Sequence, residues 1–295
     1  HLSIRRQRQM CIRDSSKTLF VQLGLKLGSK PDQNGRTPLV LVTGASEGIG
    51  YELALRFARE GHDIMAVARS AATLQAASQR IRDLTGQAVH AVAADISSQS
   101  GLDIVDEALS QKNAYVFILV NNAGVGYGGE FASQAPEEMR RLIDLNMYAL
   151  TELTRRYLPG MRSARHGGVL NLGSLGGFYP GPYQAIYYAS KAYVRSLTNA
   201  LAWEVWGSGV RFSVVSPGPV HTDFHQKAGV GNANYLKFPG IISAERVARS
   251  AYHGFFMRRR VIVPGTLVFI ASVFSRAIPT FIITPFIGWL LKKRY

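Results

Sequence analysis

Tyr187 and Lys191 stand four residues apart in the run Tyr187-Tyr188-Ala189-Ser190-Lys191. On a helix that spacing puts both side chains on one face. A phenol with a pKa of about 10 exchanges protons poorly at neutral pH until a nearby cation lowers that value, and Lys191 supplies such a charge. Ser174 lies thirteen residues before Tyr187, where its hydroxyl could hold a carbonyl oxygen. Together the three residues fit proton transfer to or from the oxygen of a carbonyl or an alcohol. Tyr188 is turned about 100° away on the same helix and is set aside as the acid. Taken singly, a Tyr/Lys pair on a helix is usually structural, and the joint occurrence carries the inference.

A second constellation is Thr43-Gly44-Ala45-Ser46-Glu47-Gly48-Ile49-Gly50. Glycines 44, 48 and 50 allow a tight turn and a close approach to a pyrophosphate, with the following helix aiming its first N–H groups at the phosphates. A glycine triplet alone is weak evidence; its place between a strand and a helix strengthens it. About 20 residues on, where a carboxylate would hold two ribose hydroxyls, the chain has Ala68 and Arg69. Arg69 can pair a 2′-phosphate, which favours NADP(H) over NAD(H). Glu47 in the glycine loop is a counter-signal. The seven histidines form no metal motif, and His221 and His225 read as loop residues, so no metal site is predicted. The single cysteine, Cys11, excludes an intrachain disulfide and a cysteine-based zinc site.

These residues need elements to position them. The hydrophobic pattern predicts strands over 39–42, 63–68, 88–93, 115–120, 168–172 and 210–215. Helices are predicted over 49–60, 71–85, 102–110, 137–158 and 186–207. Tyr115–Val120 is a continuous apolar run, as in a strand buried on both faces. Alternating strands and helices mean βαβ units. The predicted fold is α/β, a single doubly wound Rossmann domain with a mostly parallel central sheet. It spans 37–260, between an N-terminal extension (1–36) and a C-terminal one (261–295).

With these motifs in place, the chain resembles the classical short-chain dehydrogenases/reductases. TGASEGIG matches that family's TGxxxGxG, Asn121-Asn122-Ala123-Gly124 its NNAG, and Asn146 the asparagine of the next helix. Ser174, Tyr187 and Lys191 match the catalytic Ser and YxxxK. Pro217-Gly218, Val220 and Thr222 match the segment beside the nicotinamide, and Asp95 an aspartate near the adenine. Gly173 stands where the family often has Ser, a departure expected to be tolerated. The match runs over 39–257.

The resemblance implies a catalytic set of Asn146, Ser174, Tyr187 and Lys191. It implies cofactor contacts from Gly44, Ser46, Glu47, Gly48, Ile49, Gly50, Arg69, Asp95, Asn122, Ala123, Gly124, Tyr187, Lys191, Pro217, Gly218, Val220 and Thr222. Tyr187 would give the proton, Lys191 would hold the nicotinamide ribose and keep the Tyr187 pKa low, and Asn146 would fix a relay water. The C-terminal extension is similar to that of bacterial reductases near the hydroxysteroid dehydrogenases and 3-ketoacyl reductases. Segment 224–240 is predicted to be a lid. Phe178, Tyr179, Tyr183, Phe224 and Tyr235 are predicted to wall an apolar pocket for a lipid-, steroid- or acyl-like substrate. A homodimer or homotetramer through the two long helices is implied. The alternative reading is a catalytically silent, NADP(H)-binding regulatory protein.

Composition agrees with a folded enzyme. Of 295 residues 47% are hydrophobic and 18% charged, which excludes a disordered chain. The net charge of +15 is uneven: residues 1–36 carry +6, 37–257 +2 and 258–295 +7. The nearly neutral body offers no basic stripe for nucleic acid. His1–Ser16 reads as a stretch that need not be native, and Thr18–Leu27 as a short interfacial helix or an arm packed on the domain. Leu267–Leu291 is apolar except Arg276, is broken by Pro279 and Pro285, and is flanked by Arg258–Arg260 and Lys292–Arg294. That fits a broken helix in a membrane interface; a subunit interface or a lid over the pocket are the other readings. The expected location is the cytoplasm, with the inner face of a membrane left open.

Overall fold

A computed structural model describes residues 31–231, 233–234, 241–274 and 278–292. The readings of 1–16, Cys11, 18–27, Tyr235 and Arg276 lie outside the described residues. Seven parallel strands form one sheet in the order β3-β2-β1-β4-β5-β6-β9. They are β1 (Thr37–Thr43), β2 (Ile64–Ala68), β3 (Val89–Ala93), β4 (Ala114–Asn121), β5 (Gly167–Leu172), β6 (Val210–Val215) and β9 (Val261–Ile262). A separate two-residue pair joins β7 (Val220–His221) to β8 (Ile242–Ser243). Strand order reverses between β1 and β4, where the crevice of a doubly wound sheet opens.

Alternation along the strands divides the core into two layers. Val40 and Val42 face one side, with α1 (Gly48–Arg59), α2 (Ala71–Thr85) and α8 (Ala244–Phe256) packed over them. Leu39 and Leu41 face the other, under α3 (Gln99–Gln111), the helical run 136–163 and α6 (Ala185–Glu204). Both faces are covered, which is why β4 reads as an unbroken apolar run.

Besides α8 and the β7–β8 pair, which the sequence reading lacks, two elements depart from it. The predicted single helix over 137–158 is α4 (Pro136–Ile143), a π-helical turn (Asp144–Ala149) and α5 (Leu150–Ser163). Such turns insert one residue into the helical ladder and often mark functional sites; here the turn carries Asn146. The seventh strand, β9, was not predicted, being only two residues long. It pairs Val214↔Val261 and Val215↔Ile262, so the sheet takes in the first residues of the segment read as an extension. The apolar C-terminal stretch forms α9 (Thr266–Phe274) and α10 (Thr280–Leu291), two short helices, as the broken-helix reading expects.

A buried polar ladder ties the middle of the sheet to its helices. Asn121 Nδ2 donates to Asn171 Oδ1 at 2.9 Å and to Thr154 Oγ1 at 3.2 Å. Asn171 Nδ2 in turn donates to Thr198 Oγ1 at 2.9 Å. All four residues are buried. Asn171→Ala leaves the Asn121 amide without its closest acceptor, and urea unfolding is expected to show a loss of about 1–3 kcal/mol.

Candidate active site

The carboxyl ends of the strands surround a cavity of 1340 Å³. Its floor is the β1–α1 turn. Gly44 and Gly48 have φ of +66° and +56°, in the left-handed region that favours glycine. A Cβ on Gly50 would lie 2.1 Å from the Gly44 carbonyl oxygen and 2.4 Å from Asn122 Nδ2. The turn is pinned from β4: Asn122 Nδ2 donates to the Thr43 carbonyl at 2.9 Å, and Thr43 Oγ1 accepts from the Asn122 and Ala123 N–H groups, each at 3.0 Å. No side chain caps the α1 N-terminus, so its first amides face the cavity. Ser46, Glu47 and Ile49 line the same wall. This cradle fits a dinucleotide pyrophosphate.

Further along the groove stand Arg69 and Asp95. Arg69 is exposed, lines the groove and makes no ion pair among the described residues. Asp95 accepts from the Ser97 hydroxyl at 2.7 Å and from Arg141 at 3.1 Å. Burial works to raise its pKa, and those hydrogen bonds outweigh it, holding the carboxyl below its ordinary value. Glu47, the counter-signal of the sequence, is paired with Lys227 of α7 (Phe224–Lys227). That pair links the glycine turn to α7 and offsets the carboxylate charge. Lys227 and Arg141 were missed because each meets its partner through the fold and not along the chain.

Ser174 follows β5, and its Oγ accepts from the Gly176 N–H at 3.1 Å. Tyr187 and Lys191 occupy one face of α6, with Lys191 Nζ 5.7 Å from the Tyr187 ring centre. Lys191 is 7% exposed, and its Nζ donates to the Leu172 carbonyl at 2.8 Å. Burial pushes Lys191 down to about 8. Burial also pushes Tyr187 up to about 12, against a lowering hydrogen bond with Ser174. Desolvation of the phenolate therefore works against the lowering expected from Lys191. Asn146, 2% exposed, sits behind the cavity wall. Its Nδ2 donates to the Val125 carbonyl at 2.8 Å, and its Oδ1 accepts from the Val125 N–H at 2.9 Å. Asn146 therefore clamps the strand end that carries Asn122, Ala123 and Gly124, all of which line the cavity. Pro217, Gly218, Val220 and Thr222 line it opposite.

The substrate side differs from the prediction. Tyr179 and Phe224 line the cavity, with Phe224 5.5 Å from the Tyr187 ring centre. Phe178 does not; it packs beneath Arg195, 4.8 Å from the guanidinium carbon. Tyr183 does not line it either, and holds a φ of +64° in the turn before α6. The apolar wall is instead Leu267, Val268 and Ala271 of α9 and Phe286, Ile287, Leu290 and Leu291 of α10. Gly218 is what lets α9 approach, since a Cβ there would lie 2.8 Å from Val268. Asn234 Nδ2 donates to the Trp289 carbonyl at 3.1 Å, tying the lid segment to α10. Gly173 is held to glycine by space, its would-be Cβ lying 2.8 Å from Val214. The β5 end therefore has no room for the larger residue common at this position.

Comparisons with known proteins agree with this arrangement. The family signature described as short chain dehydrogenase matches residues 38–232. The NADP-dependent 3-hydroxy acid dehydrogenase of Escherichia coli K12 is 34% identical over 183 residues, 62% of this chain and 72% of that protein. A short-chain dehydrogenase from Sphingobium yanoikuyae, solved in complex with NADPH, superposes with a TM-score of 0.71 at 38% identity, covering 77% of this chain and 87% of that one. A bulky-bulky ketone specific alcohol dehydrogenase from Comamonas testosteroni superposes with a TM-score of 0.68 at 31% identity, covering 78% and 86%.

Lys227→Glu sets two carboxylates against each other across the groove. An exposed pair of this kind contributes up to about 1 kcal/mol, and reversal adds repulsion. Fluorescence titration with NADPH is expected to show affinity reduced roughly three- to tenfold. Lys227→Glu combined with Glu47→Lys is expected to recover most of it.

Proposed function

The chain belongs to the short-chain dehydrogenase family, as an NADP-dependent oxidoreductase of CH–OH and C=O groups, and we propose that its substrate is an apolar lipid-, steroid- or acyl-like ketone or alcohol. The observation that carries this reading is the wall opposite Tyr187, built from the apolar side chains of α9 and α10. Apart from Lys191, the lysines and arginines of the cavity are Arg69, Arg141 and Lys227. Arg141 and Lys227 are paired with Asp95 and Glu47 on the cofactor side. Among the described residues the apolar end thus offers no lysine or arginine to a substrate. The Comamonas relative, specific for bulky-bulky ketones, points the same way.

Bound NADPH supplies the hydride to the carbonyl carbon. The chain supplies position and the proton. Ser174 and Tyr187 converge on the substrate oxygen, and the Tyr187 hydroxyl donates as negative charge develops there. With its pKa held at about 12, Tyr187 stays protonated at neutral pH and is ready to donate. The adjacent Lys191 ammonium stabilises the phenolate left behind. Asn146 is a positioning residue that fixes the Val125 backbone beside the site. The same reading makes the enzyme a homodimer or homotetramer through the run 136–163 and α6. Ile143 and Tyr148 of that run are exposed at 41% and 46%.

The test is NADPH oxidation with a panel of bulky apolar ketones and, in parallel, small keto acids. Turnover is expected on the ketones. Tyr187→Phe should still bind NADPH and lose about 10²–10⁴ in kcat. Full activity in Tyr187→Phe would refute the mechanism, preference for keto acids would refute the substrate class, and binding without turnover on any carbonyl would leave the silent regulatory protein.

A pH profile checks the proton inventory separately. Ketone reduction needs Tyr187 protonated and Lys191 charged. Because burial holds Lys191 down to about 8, kcat/KM for reduction is expected to fall as pH rises through that value. Lys191→Met should lower the rate and remove the inflection.

A further inference from the structure

Helices α9 and α10 carry apolar side chains on both faces. Inward, Val268, Ile283, Ile287 and Leu291 are buried on the cavity and on Tyr179 and Tyr188. Outward, Phe269, Ile270, Val273, Phe274, Phe281 and Ile282 are exposed, Phe281 at 77%. Among the described residues, ten of the eighteen exposed large apolar side chains fall between 267 and 289. A chain monomeric in water seldom leaves so concentrated an apolar patch uncovered.

Charge identifies what covers it. Neither helix contains a charged residue, and residues 258–295 hold seven lysines and arginines and no acid. Lys292 follows α10 directly and is exposed, with Lys293 and Arg294 next in sequence. Trp289, 53% exposed, precedes this basic end by one turn, the usual place of an interfacial tryptophan. A second copy seated on the same face would bring no acid from 258–295 to pair the basic end, whereas an anionic surface supplies the counter-charge. At nine and twelve residues the helices are about 14 and 18 Å long, against a hydrocarbon core of about 30 Å. Among the described residues no helix is long and apolar enough to cross a membrane. The geometry is that of helices lying in an interface.

We propose that the outer face of α9 and α10 docks the protein onto an anionic lipid surface, with the substrate cavity directly beneath the docked helices. Of the earlier basic cluster, Arg260 lies over the Trp206 and Trp203 rings at 5.2 and 5.9 Å, at the entry end of β9. Docking does not depend on the substrate assignment, because it concerns the opposite face of the helices.

The experiment is co-sedimentation of the full chain with vesicles of phosphatidylcholine and of an equal mixture of phosphatidylcholine and phosphatidylglycerol. Binding to the mixed vesicles is expected, weaker at high salt and weaker with phosphatidylcholine alone. Phe274→Glu/Phe281→Glu alters two side chains outside the cavity. It should reduce sedimentation at least about tenfold and leave turnover of a water-soluble ketone in lipid-free buffer unchanged. Lys292→Glu should weaken binding to the mixed vesicles selectively. Absence of vesicle binding, or its retention by the double variant, would overturn the proposal. So would light scattering showing an oligomer that the double variant splits while vesicles remain unbound, since the face would then be a subunit interface.

Discussion

A single buried ammonium organises the reactive end of this protein. Lys191 is buried, meets no carboxylate among the described residues, and its Nζ is held by the Leu172 carbonyl at the end of β5. Taking a cation out of water without a counter-charge is costly, and the drop of its pKa to about 8 expresses that cost. The arrangement persists because the surroundings are over-determined. α6 is fixed against β5 and β6 by buried contacts, and the Asn121–Asn171–Thr198 ladder locks the same strands to the same helix. On the other side, the π-helical turn brings Asn146 to the Val125 backbone near Lys191. Loosening any of these would let water reach the ammonium and restore an ordinary amine.

What could be read from the sequence follows from the range of the forces involved. The six long strands and most helices were legible because their periodicity is local and β4 is apolar throughout. The glycine turn, Ser174, Tyr187 and Lys191 were legible because their chemistry demands fixed residue types at fixed spacing. The two-residue β9 has no periodicity to detect. The π-helical turn has no compositional sign, since one extra residue in a helix leaves the apolar stripe nearly intact. The pocket wall was legible in part: Tyr179 and Phe224 line it, Phe178 and Tyr183 do not although they are near Tyr187 in sequence, and α9 and α10 reach it only through the fold. The cation beside Tyr187 is visible in the sequence, and the burial that works against it is not.

Charge placement explains how an acid can sit in a phosphate-binding turn. Glu47 alone would repel a dinucleotide, but its carboxylate faces Lys227 on the lid. Asp95 is likewise matched by Arg141. With both acids paired, Arg69 is the groove cation without an ion-pair partner among the described residues, and an additional phosphate is what it can hold. Discrimination thus rests less on the sequence of the turn than on which charges the fold neutralises. A reading of Glu47 in isolation gives the wrong sign.

The C-terminal helices connect the two ends of this account. Val268 rests against Gly218 beside the cofactor groove, and Ile287 and Leu291 rest against Tyr188, next to Tyr187, the proposed proton donor on α6. Tyr188 is itself seated in the space left by Gly176 and Gly181. The hairpin is therefore packed directly on the helix that carries the proton donor. Its apolar inner face must be dry to hold an apolar substrate, and its equally apolar outer face is exposed among the described residues. Helices with two apolar faces are stable only between two apolar phases. The cavity is one of them, and a lipid interface is the phase whose charge and depth match the other.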